Sequence, residues 1–221
     1  MANQELENSI KVTKVETLIK GAFGSAIVGS SVGIFLTFYL KDHVATAILY
    51  PWCAVLFTFG FLRILISIFY RKKKDMFEFE TWSKLYFTIT VLFSGTWASV
   101  SLVLIGEVPA AKVPVFVTIL LGLASGGAIT HIASKSLAAF YSTSIVFCHS
   151  LKVLIEGKED AYLLVGAELL FILLLFKLIK TYNHLYNHSN ELAFELQDKL
   201  ELEKELQKQK VQALQKSKLA S

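Results

Sequence analysis

The sequence has 221 residues, of which 54% are hydrophobic and 18% are charged. A soluble domain of this length would carry more charge and fewer Leu, Ile, Val and Phe, so a mean hydropathy of +0.53 excludes an ordinary soluble protein and predicts an integral membrane protein. The net charge of +4 is small, and the placement of the positive residues is more informative than their number.

The chain begins with a polar stretch, Met1–Lys20, that lacks the short apolar core and cleavage site of a signal peptide. We therefore expect the first span to be an uncleaved anchor. A transmembrane helix needs roughly 17–25 apolar residues, and six segments meet or approach that length: Leu18–Leu40, Val44–Tyr70, Trp82–Ile105, Val113–Ser134, Ser136–Ile155 and Ala161–Lys180. The boundary between the fourth and fifth is a polar patch no longer than His131–Ser136. The predicted fold is an all-α bundle of six transmembrane helices.

The distribution of Lys and Arg predicts the orientation, because positive residues are retained on the cytoplasmic side. A cytoplasmic N-terminus places eleven of the Lys and Arg residues that flank the spans inside and four outside. The outer four are Lys41, Lys112, Lys152 and Lys158. We expect both termini in the cytoplasm of a bacterial inner membrane, with short outer loops around Asp42, Glu107–Lys112 and Gly157–Asp160. Because no outer domain is left to catch a ligand, a signal would be read within the membrane or at its surface.

A run of four basic residues, Arg71–Lys74, dominates the inner set. Acidic residues follow it at Asp75, Glu78 and Glu80, so it predicts an anchor to the inner leaflet rather than a nucleic-acid site.

Two spans carry stripes of small residues, which allow helix backbones to approach closely. The first span has Gly21, Ser25, Gly29 and Gly33, and the fourth has Gly122 and Gly126. Tight packing within one bundle and dimerisation through the first span both fit this pattern.

The sixth span is followed by residues 181–221, which contain no Pro or Gly and are rich in Leu, Glu, Lys and Gln. We therefore divide the chain into a transmembrane domain, 1–180, and a cytoplasmic helix, 181–221, that extends the last span. A heptad-like series in the helix is interrupted by a four-residue stutter. Its members are Tyr182, Leu185, Ser189, Leu192 and Leu196, then Leu200, Gln207, Val211 and Leu214. The pattern favours a parallel coiled-coil homodimer.

Several polar and aromatic residues fall at one depth, about a third of the way in from the outer surface, when depth is counted at about 1.5 Å per residue. They are Trp52, Cys53, Trp97, Cys148, His149 and Glu168. Intramembrane ionisable residues usually mark a site or an inward-facing pair, and we expect Glu168 to pair with His149. The alternatives are a structural pair, a pocket for a small lipophilic ligand walled by the two tryptophans, a metal or haem site, and a proton path. No spacing motif supports the metal site.

Other polar residues in the spans have simpler interpretations. Arg63 is expected to extend to the cytoplasmic surface beside Arg71–Lys74, or else to pair with a neighbouring helix. His131 is expected at the membrane interface. His184 and His188 lie one turn apart and could share a metal or switch with pH, but a solvated helix face is the simpler interpretation. Cys53 and Cys148 are expected to be buried free thiols.

No nucleophile–base pair, phosphate loop or acidic dyad is present, so the chain alone is not expected to be an enzyme or to bind a cofactor. The pattern resembles the six-span, MASE-like sensor regions of bacterial signalling proteins. The resemblance rests on the stretches FLRILISIFYRKKK and FEFETWSKLYF, the central Gly95–Trp97 and the small residues of the fourth span. Leu214–Ser221 is similar to the linker that precedes the phospho-accepting helix of sensor histidine kinases.

The resemblance implies a sensor module of a two-component kinase, acting through a downstream kinase domain and a response regulator. By similarity to six-span quorum-sensing kinases, it also implies a small lipophilic signal. A nucleotide cyclase such as a diguanylate cyclase is an alternative effector. Two alternative functions are a small transporter or channel, and an anchor that only dimerises and localises an effector.

Overall fold

The computed structural model describes residues 2–104, 108–157 and 160–219, and the chain divides into two compact units, Met1–Asn183 and His184–Ser221. Parts of several predicted features lie outside the described residues. Glu107 and Lys158 of the predicted outer loops are not described, and neither are Ala220, Ser221 and the side chains of 213–219, which include the seam position Leu214 and most of the linker-like stretch.

Six long α-helices make up the chain, and every regular element in the described part is helical. Each of the six contains a stretch long and apolar enough to cross a membrane. The chain is therefore a multi-pass membrane protein with an all-α bundle, as predicted. The helices are α1 (Ala2–Leu40), α2 (Thr46–Lys72), α3 (Phe79–Leu104), α4 (Val113–Thr130), α5 (Lys135–Glu156) and α6 (Ala161–Leu219).

The short connection between α4 and α5 lies where the polar patch predicted it. Ser134 precedes α5, and its hydroxyl accepts a hydrogen bond from the Leu137 amide at 3.4 Å, which satisfies one of the unpaired amides of the first turn. At the other end of α5, Gly157 has a φ of 62°, a left-handed conformation that glycine adopts without strain. These two ends give α5 a defined length inside the bundle.

The helix α1 begins at Ala2, well before the apolar segment predicted from Leu18. Its polar first half carries a side-chain pair at helical spacing, with Lys20 Nζ 2.9 Å from Glu16 Oε1. Hydropathy detects the part of a helix that enters the membrane, and a polar extension gives no such signal.

The helices of the first unit do not pack in chain order. The main contacts join α1 to α2, α2 to α3, α3 to α5, and α5 to α4, while α4 meets α1 along a looser seam. The largest buried cluster is formed by residues from all five helices α1 to α5. Trp97 and Phe93 of α3 are among its fully buried members. Helix α3 is therefore the central element, with 50% of its most apolar stretch buried.

Two glycines of the first stripe are used for packing inside the bundle. A Cβ atom added at Gly29 would lie 2.9 Å from Phe93 Cζ, and one added at Gly33 would lie 2.3 Å from Leu56 Cδ2. Both distances are too short for real contacts, so the glycines allow α2 and α3 to approach α1. This supports the intramolecular interpretation of the stripe.

The membrane part of α6 packs on the outside of α4 and α5. Leu175 and Ile179 join a small cluster with Ala124, Ala138 and Val146. Only 22% of the most apolar stretch of α6 is buried, which makes it the least buried of the six spans.

In the second unit, most of the described apolar side chains of the helix are exposed, while Tyr186 and Phe194 are half-buried. The exposed side chains include Leu185, Leu192, Leu196, Leu200 and Val211.

Candidate functional site

A buried carboxylate joins α6 to α5. Glu168 is 2% exposed, and both of its oxygens have partners on α5. Oε1 shares a hydrogen bond with Nδ1 of His149, and Oε2 accepts one from the Ser150 hydroxyl. The predicted pairing of Glu168 with His149 is therefore present. Because a carboxyl group inside a bilayer is costly unless it is paired, these three residues form a specific attachment, which we call the Glu168 clamp.

Ser150 was missed at the level of sequence. A serine within an apolar span usually bonds to its own helix backbone. The one sequence signal for a role of Ser150 beside Glu168 was its position directly after His149.

The imidazole of His149 has a second nitrogen that the clamp does not use. Its Nε2 atom is buried and has no hydrogen-bond partner among the described residues. The ring lies 6.4 Å, between centroids, from Phe116 of α4. Within the described part of the chain, the imidazole is thus held at one nitrogen and unpaired at the other, so the clamp is its one polar attachment.

The two predicted tryptophans lie against each other at the centre of the bundle. Trp52 and Trp97 pack edge to face with ring centroids 5.4 Å apart, and Trp52 Nε1 donates a hydrogen bond to the Thr96 carbonyl at 2.9 Å. Trp97 is fully buried, and its Nε1 atom has no acceptor within the described part of the chain. This pair fixes α2 against α3.

The structure brings the six predicted site residues together as two contacts rather than around one described cavity. Trp52 meets Trp97, and His149 meets Glu168. Cys53 and Cys148 lie at the edge of the large core cluster, half-buried and unlinked. The expectation of free thiols agrees with this, but the two side chains are half-buried rather than buried. A ligand-binding role for these six residues stays a prediction.

Arg63 does not extend to the surface, and that expectation was wrong. It is 1% exposed, and its Nη2 atom lies 2.9 Å from Ser25 Oγ on α1 and 3.2 Å from His131 Nε2. The guanidinium carbon lies 5.0 Å from the centre of the Phe93 ring. The second expectation, pairing with neighbouring helices, is the correct one. Polar and aromatic groups lie close to the guanidinium, whereas extension to the surface would take the side chain past packed neighbours.

His131 is also buried rather than interfacial, at 1% exposure. Arginine has hydrogen-bond donors and no acceptor, so His131 Nε2 must accept from Arg63. The ring proton then sits on Nδ1, which donates to the Gly127 carbonyl at 2.8 Å. His131 is therefore a neutral acceptor that stacks on Tyr141 with centroids 5.1 Å apart. Its place at the end of α4 concealed this role, because the sequence does not show that α2 passes beside it.

A cavity of about 700 Å³ lies beside this cluster, along the loose seam between α1 and α4. We call it the α1–α4 cleft. It is lined on α1 from Gly21 to Val32 and from Thr118 along α4 to His131, together with Arg63 of α2 and Tyr141 of α5. None of the six predicted site residues lines it. Its volume is within the range of small-molecule sites, roughly 300–1,000 Å³.

Within the described residues, no three His, Cys, Asp or Glu side chains lie close enough together to hold a metal ion. His184 and His188 are both exposed, and His188 Nδ1 lies 3.9 Å from Glu191 on the same helix. A solvated helix face accounts for both.

Comparison of the chain with protein-family models, with curated proteins and with solved structures gives no match in any of the three.

Proposed function

We propose that this chain is the membrane-embedded sensor module of a bacterial signalling protein. It takes up a small lipophilic or membrane-derived signal and converts it into a change in the position of α6. The Glu168 clamp is the observation that carries this proposal, because a polar contact buried in the bilayer holds in place a helix that is otherwise little buried.

The attachment of α6 to the bundle is limited. Besides the clamp, Leu175 and Ile179 reach the cluster on α4 and α5, and Asn183 Nδ2 donates to the Ile132 carbonyl at 2.6 Å. Outward-facing side chains such as Leu163 and Leu174 are 77% and 64% exposed. Regions with few buried apolar contacts open at low free energy, so α6 is the helix best suited to move.

The length of α6 provides the path by which such a movement is transmitted from the membrane to the tail. The same helix, Ala161–Leu219, contains both Glu168 and the heptad-like residues. Its exposed leucines form the kind of apolar stripe that a second copy of the chain would cover. The stutter near Leu196–Leu200 would place two coiled-coil registers close in free energy, as a two-state element requires.

We place the module in the bacterial inner membrane with both termini in the cytoplasm, following the distribution of Lys and Arg. The partners are a second copy of the chain, the surrounding lipid, and an effector reached through the tail. A histidine kinase with its response regulator is the effector that the sequence resemblance implies, and a nucleotide cyclase is the alternative.

Disulfide cross-linking in native membranes tests this proposal. Single cysteines replace Leu185, Leu192, Leu196 or Val211 in a chain with Cys53→Ser and Cys148→Ser. We expect covalent dimers at these seam positions and few at the off-seam position Gln197. Glu168→Gln should change the relative yields along the tail, whereas Glu80→Gln, which neutralises an exposed acid at the start of α3, should not.

Each competing function gives a different result. An anchor that only dimerises predicts cross-links whose pattern is the same in the parent chain and in Glu168→Gln. A transporter or channel that acts as a single copy predicts no seam-specific cross-links. Either result contradicts the sensor proposal.

A further inference from the structure

We propose that the α1–α4 cleft binds an acyl chain that carries an anionic head group, with the head group on Arg63. This site is separate from the Glu168 clamp and does not depend on a sensor role, because binding is measured without any signalling readout.

The first reason is a buried charge that lacks a counter-ion. Arginine remains protonated in proteins, yet Arg63 forms no ion pair with any described carboxylate. Its contacts are a serine hydroxyl, a neutral imidazole and an aromatic ring. Its Nε atom is buried and has no hydrogen-bond partner among the described residues. A buried cation with a free donor is stabilised by an anion within reach.

The second reason is that this cation borders the cleft, whose two ends differ in polarity. Ser25, Arg63, Thr130 and His131 lie at one end. Val28, Val32, Ile119 and Leu123 lie toward the other, where the one described polar side chain, Thr118, bonds to the Pro114 carbonyl of its own helix. The lining residues on α1 span Gly21 to Val32, which corresponds to about 16 Å at 1.5 Å per residue. A polar end and an elongated apolar end match an amphiphile better than a compact polar solute.

The third reason is unfilled space beside four glycines that line the cleft. Cβ atoms added at Gly21, Gly24, Gly122 and Gly126 would meet no atom within 4 Å, although all four residues line the cleft. In this they differ from Gly29 and Gly33, which are in close contact with neighbouring side chains. Packing within the bundle does not account for the four open glycines, whereas a ligand chain lying along the seam does.

The hydrogen-bonding groups beside Arg63 are consistent with an anion rather than a second cation. Thr130 Oγ1 donates to the Gly126 carbonyl at 3.0 Å, and His131 Nδ1 donates to the Gly127 carbonyl at 2.8 Å. These groups are satisfied within α4. Arg63 is the one described charged residue that lines the cleft, and no described carboxylate lines the cleft to repel an anion.

Binding of three probes with one acyl length tests the proposal. The full chain, purified in detergent, is titrated with hexadecanoate, hexadecyl phosphate and hexadecanol. We expect both anionic probes to bind and hexadecanol to bind about tenfold or more weakly, as expected when one charged hydrogen-bonding contact is lost. Equal binding of hexadecanol, or no binding of any probe, would overturn the proposal.

Two variants locate the site. Gly122→Leu places a side chain in the open space of the cleft and should abolish binding, whereas Gly95→Leu adds the same side chain at an exposed position of α3 and should leave binding unchanged. Arg63→Gln should bring hexadecanoate binding down to the hexadecanol level. If Arg63→Gln fails to fold, the glycine pair still decides, and unchanged binding in Gly122→Leu overturns the proposal.

A second arm identifies the source of the acyl chain. The protein is reconstituted in nanodiscs of phosphatidylcholine with or without phosphatidylglycerol, and retained lipid is measured after re-extraction. Phosphatidylglycerol retained by the parent and by Gly95→Leu, but not by Gly122→Leu, supports a phospholipid of the bilayer. Hexadecanoate binding without retained phosphatidylglycerol supports a free acyl acid.

Discussion

Arg63 Nη2 lies 3.2 Å from Nε2 of His131, and this contact ties the middle of α2 to the end of α4 within the bundle. Both side chains are buried, each 1% exposed, and both line the α1–α4 cleft. The contact contributes to stability only while both partners are present, because removal of either one leaves a buried polar atom of the other without this hydrogen bond, although Arg63 keeps Ser25 and His131 keeps the Gly127 carbonyl.

Replacement of His131 by Phe keeps an aromatic ring against Tyr141 and removes one of the two acceptors of Arg63 Nη2, leaving Ser25 Oγ. We expect a loss of about 1–3 kcal/mol, the usual effect of leaving a buried donor unsatisfied. Thermal unfolding in detergent measures it. His43→Phe is the matched control, because His43 is exposed and should shift stability by no more than about 0.5 kcal/mol. Equal unfolding temperatures for the two variants would contradict a structural role for the contact.

Removal of the Ser150 hydroxyl should weaken the Glu168 clamp. Ser150→Ala leaves Oε2 of Glu168 without its donor, and we expect a loss of about 1–3 kcal/mol. Ser136→Ala is the control, since Ser136 is exposed at the start of α5. The measurement is the same unfolding assay, and a Ser150 variant as stable as the control would show that the hydroxyl does not support the carboxylate.

Two glycines of α4 should respond oppositely to the same substitution. A Cβ atom at Gly127 would lie 2.0 Å from Tyr141 Cδ1, so Gly127→Ala should destabilise the bundle by about 1–3 kcal/mol through overpacking. Gly122 has open space, and Gly122→Ala should be neutral or stabilising by up to about 1 kcal/mol, because alanine favours the helix. Unfolding curves of the two variants provide the comparison, and the reverse order would contradict the packing described for α4 and α5.

Local sequence properties predicted the parts of the structure that depend on one helix at a time. Six spans follow from apolar length, and the turn before Ser134 follows from the polar patch. The contact of Glu168 with His149 was also predictable, since α5 and α6 are consecutive and the two residues fall at the same depth.

The contacts that were missed join helices that are distant in the chain. The rule that an arginine near a helix end extends to the surface considers one helix alone, and the spatial order of the helices places Arg63 beside α1 and α4. The α1–α4 cleft was missed for a related reason. A stripe of glycines predicts close packing, and only the arrangement of neighbouring side chains distinguishes Gly33, which is packed, from Gly122, which is open.

The most direct test of the central claim is the distance between α6 and the rest of the bundle. Spin labels at Phe69→Cys on α2 and Lys177→Cys on α6, in a chain with Cys53→Ser and Cys148→Ser, report it by pulsed electron resonance. Labelled protein is diluted with unlabelled chain so that distances between copies are excluded. We expect Glu168→Gln to shift or broaden the distance distribution relative to the parent, and Glu80→Gln to leave it unchanged. Identical distributions in all three would show that the Glu168 clamp does not control the position of α6, which would contradict the proposed mechanism.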